Sequence, residues 1–128
     1  MMGNYSYDEF SDLVEEVYDE FDKKYFDGLN AGIIIEENIF YHPESVDDDL
    51  IALGAYRRDL LGNSIVIYYG SFMKMFGHLE KEDLKEKIKS TLGHELTHHL
   101  EFSAGENGLE VEDLEFINKY KETKWQKF

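Results

Sequence analysis

The chain has no cysteine and a single proline, and it carries only 13 basic residues against 28 acidic ones. Without cysteine there is neither a disulfide framework nor a thiolate metal cluster, so any bound metal must be held by His, Asp or Glu. One proline and ten glycines in 128 residues exclude a collagen-like or low-complexity chain. The formal charge of -15 argues against nucleic acid and against anionic membrane surfaces, both of which need clustered Lys and Arg. Long apolar runs are missing too. The longest, such as Ile33 to Ile35 and Ile65 to Tyr69, are far too short to span a bilayer, and the first basic residue is Lys23. Neither a signal peptide nor a membrane helix is expected, which makes a soluble, cytoplasmic protein the expectation. The length suits one domain over residues 1–128, and nine Phe, nine Tyr and one Trp supply bulky material for its core.

The pattern His94-Glu95-Leu96-Thr97-His98 dominates what is present. On an α-helix His94 and His98 lie one turn apart on one stripe and can close on a single metal ion. Glu95 projects from the edge of that stripe, within reach of a water on the metal and badly placed as a further ligand. The pattern therefore separates two ligands from one general base, the division of labour of a zinc hydrolase. Leu84, Ile88, Leu92, Leu96 and Leu100 form an i+4 row on the other side of the same helix, so one face can pack into a core while the other presents the histidines.

Around this motif the spacing predicts an α+β chain. Ser6 and Glu9 form a capping box, with Tyr5 placed to staple to Phe10, for an N-terminal helix whose apolar stripe is Phe10, Leu13, Val14, Val17, Tyr18 and Phe21. Gly32 to Glu36 reads as a strand. Leu50 to Arg58 and Ser64 to Tyr69 read as a hairpin across a five-residue connection, residues 59–63. The stretch through His42 to Asp47-Asp48-Asp49 reads as a loop; its aspartates lack the spacing of a calcium site. Ser71 to Phe76 is not fixed by its pattern, a short helix being one candidate. The motif helix is expected from Lys81 to about Phe102, ending before Gly105. A further helix is expected from Leu109 to about Lys124-Trp125, burying Leu114, Ile117 and Tyr120.

His94 to His98 followed by His99, the upstream strands, and the acidic segment from Ala104-Gly105-Glu106 through Asp113 resemble the minimal bacterial zincins, small zincin-like metallopeptidases of about this size. The resemblance implies a zincin fold, with a small twisted sheet packed on an active-site helix, helices at either end, and a peptide substrate lying along an edge strand. It implies zinc as cofactor, His94 and His98 as ligands and Glu95 as catalytic base. Relatives often continue His-His-x-Gly-x-x-Asp, with the aspartate as third ligand; here Glu101 and Ala104 stand at those two places.

Hydrolysis requires a third protein ligand beside the two histidines. Glu106, just past a glycine able to reverse the chain towards His98, is the first choice. Glu110, Glu112 and Asp113 could serve from the next helix, and Glu101 shares the histidine stripe at a longer reach. His99 points about 100° away from His98 and suits a supporting hydrogen bond. His42 and His78 read as loop residues. Tyr56, Tyr68 and Tyr69 are expected in strand packing, with oxyanion stabilisation as an alternative. The expected function is zinc-dependent hydrolysis of a peptide or protein. The alternative is a non-catalytic zinc-binding interaction module on the same fold, against which Glu95 speaks.

Overall fold

The computed structural model describes residues 5–41, 50–107 and 115–119, with side chains through residue 104 and again from 115. Helix α1 spans Tyr7–Asp19 and a 3-10 turn follows at Lys23–Phe26. Strands β1 (Gly32–Glu36), β2 (Phe40–Tyr41), β3 (Ile51–Ala52), β4 (Gly54–Asp59) and β5 (Gly62–Tyr68) come next, then α2 (Tyr69–Phe76) and α3 (Lys81–Asn107). Residues 115–119 are helical. No helix among the described residues is long and apolar enough to cross a membrane.

The capping box is present in both halves: the Ser6 hydroxyl accepts from the Glu9 amide at 3.1 Å, and Glu9 accepts from the Ser6 amide at 2.8 Å. Two otherwise orphaned donors at the start of α1 are thereby satisfied. Phe10, Leu13, Val14, Val17 and Phe21 enter one core with the whole leucine-isoleucine row of α3 except Leu100, which is buried beside it. Packing of α1 on α3 is reinforced outside the core, where Lys85 reaches Glu16 at 3.1 Å and Lys89 reaches Glu20 at 3.0 Å. Partly exposed pairs of this kind contribute little individually, so the buried apolar faces hold the two helices together.

The main sheet has the order β1-β5-β4, with β1 parallel and β4 antiparallel to β5. β5 is central and buried from Ser64 to Tyr68. The hairpin is tighter than its sequence suggests: Asp59 pairs with Gly62, so the connection is two residues, Leu60 and Leu61. The Asp59 carboxylate accepts from the Leu61 amide at 2.9 Å, a local bond that closes the turn. The apolar run before β4 is also divided. Ile51–Ala52 pairs with Phe40–Tyr41 in a separate small sheet, and β4 proper begins at Gly54.

Two other expectations change. Tyr69–Phe76 is helical, burying Phe72 and Met73. The motif helix does not stop before Gly105 but continues to Asn107. His42 and the three aspartates fall outside the described residues, as does most of the expected C-terminal helix; of its stripe only Ile117 is described, and it is buried. The α+β class with a small sheet beside the motif helix stands as expected.

Candidate active site

Alternate side chains of β4 point at α3, and they meet it in a regular ladder. A Cβ placed on Gly54 would lie 3.0 Å from Thr91 Cγ2 and 3.5 Å from Glu95 Cγ. Two residues on, the Tyr56 hydroxyl is bonded to His99 at 2.9 Å. Two further, the Arg58 guanidinium stands over the Phe102 ring at 4.3 Å. Strand residues two apart advance by about 6.6 Å and one helical turn by about 5.4 Å, so the strand keeps pace with the helix over this length. The space at Gly54 is tight on the sheet side as well, where the same Cβ would lie 2.9 Å from the Val66 carbonyl oxygen of β5. Gly54→Ala should destabilise the protein by about 1–3 kcal/mol through overpacking against the Val66 carbonyl and the Thr91 methyl. Thermal unfolding of the purified variant checks this, and an unchanged midpoint would contradict the close approach.

β4 is an edge strand. The Tyr68 amide donates to the Leu53 carbonyl at 3.0 Å, which sets the alternation of bonded pairs in the β4–β5 ladder. Ala55 and Arg57 direct their backbone groups towards β5, and those of Gly54, Tyr56 and Arg58 face outward. No strand among the described residues pairs with that outer side. An open cleft of about 700 Å³ lies there, walled by Gly54, Tyr56 and Arg58 on one side and by Glu95, His98, Glu101 and Phe102 on the other.

The three motif residues differ in burial. His98 is exposed and His94 intermediate, whereas Glu95 retains only 3% of its surface. Burial pushes the Glu95 carboxyl up to about 8. The imidazoles of His94 and His98 stand 5.0 Å apart, centre to centre, at 89°. Two rings each bonded at about 2.0–2.1 Å to one tetrahedral ion would have centres roughly 5 Å apart, so this pair fits zinc in donor type and spacing. Glu101 approaches His98 Nδ1 at 3.7 Å. Among the described residues, however, no three His, Asp or Glu side chains are grouped so as to hold one ion.

Glu110, Glu112 and Asp113 fall outside the described residues, and so does the side chain of Glu106. The backbone at Glu106 is nevertheless helical, so Gly105 does not reverse the chain. Eight residues beyond His98 on a helix is about 12 Å along its axis, which removes the reason for preferring Glu106. The helix continues because nothing in Glu101-Phe102-Ser103-Ala104 stops it, and a single glycine costs only about 1 kcal/mol.

The raised Glu95 carboxyl has a consequence for metal-free protein. A carboxyl raised in the folded state favours folding fully below its unfolded value of about 4.3, and that contribution is lost as the pH rises through about 8. Chelator-treated parent should therefore lose stability relative to metal-free Glu95→Gln between pH 5 and pH 8, by several kcal/mol in order of magnitude. Denaturant midpoints of the two proteins across that range measure the difference; parallel curves would contradict a buried, raised carboxyl.

Of the other candidates, Tyr68 is buried and stacks on Phe40 at 5.0 Å, and the Tyr69 hydroxyl donates to the Tyr5 carbonyl. Both serve packing. His78 is exposed in a turn. His99 is fully buried and hydrogen-bonded, as its position beside His98 predicts. The cleft-wall role of β4 was missed in the sequence, although Gly54 inside an apolar run was a usable sign of close backbone approach.

A family model described as zincin-like metallopeptidase matches residues 52–119, more than half of the chain. The chain belongs to the zincin-like metallopeptidase family. The match takes in β4, α3 and thus both walls of the cleft. Among solved structures, this zincin-like chain is similar to a conserved hypothetical protein from Thermus thermophilus, at 30% identity and a TM-score of 0.67 over 78% of this chain and 98% of that one. No curated protein matches the sequence.

Proposed function

We propose that the protein is a zinc-dependent peptide hydrolase in which His94 and His98 hold the metal and Glu95 is the general base. The observation that carries this reading is the buried Glu95 carboxyl, beside exposed His98 in a cleft bounded by an open strand edge. A buried acid with a raised pKa is costly for a scaffold and useful to a proton-transfer site. Zinc, when bound, would supply the positive charge that polarises a carbonyl, acidifies water and favours ionised Glu95. Glu95 then takes the proton of the attacking water and returns it to the leaving amine. The outward backbone groups of Gly54, Tyr56 and Arg58 can hold an extended peptide as an added strand, which favours peptide over other carbonyl substrates.

Because α3 runs on through Glu106, the third ligand is proposed from Glu110, Glu112 or Asp113. Alanine substitutions at Glu101, Glu106, Glu110, Glu112 and Asp113 should separate, in chelator competition, into one loss of zinc affinity of at least about 10²-fold and four small ones, since even supporting residues cost 10–100-fold. A dominant loss at Glu106 would restore the choice made from sequence.

Exposing the zinc-loaded protein to a defined synthetic peptide library, with cleavage read by mass spectrometry, tests the function. Cleavage should stop with chelator and return with zinc. Identical cleavage in chelator, or none with zinc bound, would overturn the reading.

A further inference from the structure

Arg58 ends the line of β4 side chains that walls the cleft, and it is a cation in a chain with 28 acidic residues against 13 basic ones. Its neighbour Arg57 is matched by Glu36 at 3.6 Å. Among the described residues Arg58 forms no ion pair, and its guanidinium stands over the Phe102 ring at 4.3 Å instead. The nearby carboxylates are engaged elsewhere. Glu101, next to Phe102 in α3 and part of the same cleft wall, approaches His98 Nδ1 at 3.7 Å, and Asp59 accepts from the Leu61 amide in the turn. The ring steadies the head of the Arg58 side chain without satisfying its five N–H donors, whose fork suits a planar, bidentate acceptor. Arg58 is exposed, so those donors are open to the cleft.

An extended peptide added to the outer edge of β4 sets one residue opposite each of Gly54, Tyr56 and Arg58, with the side chains of those three on the α3 side of the sheet. Its backbone is then occupied with the strand, so selection along the cleft falls to side chains. Opposite residues bring their Cβ atoms to about 5 Å, within reach of a long side chain. Glu95 lies beside Gly54, which sets the level at which a bond would be cleaved, and Arg58 lies further along β4 towards its end. A carboxylate is the acceptor that offers both the charge and the paired oxygens matching this fork. Resting on the peptidase reading above, we infer that Arg58 is a specificity-determining residue whose guanidinium, placed over Phe102, binds a substrate carboxylate about two to four residues from the cleaved bond.

Variants of the best-cleaved library peptide test this, with Glu, Gln or Lys at one position at a time and with the C-terminus either free or amidated. Selection is read as a ratio of kcat/KM values within each protein, so a substitution that lowers overall activity is still informative. The zinc-loaded parent should favour the carboxylate over its uncharged counterpart roughly 3- to 10-fold at one place, about two to four residues from the cleaved bond, and the ratio should shrink in about 1 M salt. Arg58→Gln should bring that ratio to about one. Arg58→Glu should reverse it, favouring Lys over Gln at the same position. An Arg58-dependent preference for Glu over Gln assigns the carboxylate to a side chain, and an Arg58-dependent preference for the free over the amidated end assigns it to the C-terminus of the peptide. Cleavage by the parent with neither preference, or with one that survives both substitutions, overturns the inference and leaves the peptidase reading standing. No cleavage by the parent overturns that reading and the role of Arg58 with it.

Discussion

Glu95→Gln should give a folded, zinc-loaded protein whose peptide turnover is lower by roughly 10²–10⁴-fold, the usual contribution of a positioned general base. Glutamine preserves the length and shape of a side chain that is buried to 3% exposure, so the packing of α3 against β4 has no reason to change. What disappears is the proton acceptor. The measurement is kcat/KM on the best-cleaved peptide with zinc content determined on the same sample. The thermal midpoint of the same zinc-loaded sample separates a loss of turnover from unfolding. Undiminished turnover in a fully loaded variant would take Glu95 out of the mechanism.

His94→Ala and His98→Ala should each lower zinc affinity by at least about 10²-fold, more than the tenfold to hundredfold that loss of a merely supporting residue costs. The two rings stand 5.0 Å apart on adjacent turns, so removing either leaves one imidazole and a carboxylate to hold the ion. Neither substitution should unfold the chain, because His98 is exposed and the buried row Leu84, Ile88, Leu92 and Leu96 lies on another face. Chelator competition reads the affinities. Full affinity in either variant would place the metal elsewhere.

The features legible in the sequence are those governed by local spacing. The Ser6/Glu9 capping box follows from two residue types three positions apart, the strand Gly32–Glu36 from a β-branched run, and the apolar row of α3 from a helical repeat, and all appear at those positions. Features set by contacts between distant segments were less legible. The break between Ile51–Ala52 and β4 depends on Phe40–Tyr41 as a pairing partner, and the tight turn at Leu60 and Leu61 depends on a register that places Asp59 opposite Gly62. The continuation of α3 past Gly105 defeated a helix-stop rule that one glycine enforces only weakly. Within the site, the pattern from His94 to His98 is the source of the proposed chemistry. It carried no information on the hydrogen-bonded chain from Tyr56 through His99, which arises only because Asp27, 72 residues before His99, supplies a carbonyl to its ring.

Peptide hydrolysis measured while the metal-free parent is titrated with zinc tests the central claim most directly. Cleavage should be absent at the start, rise in proportion to zinc, and level off near one equivalent per chain, with the Glu95→Gln protein binding the same equivalent and staying near baseline. Tight binding of one equivalent by the parent without cleavage, or cleavage that ignores the zinc added, would contradict the account.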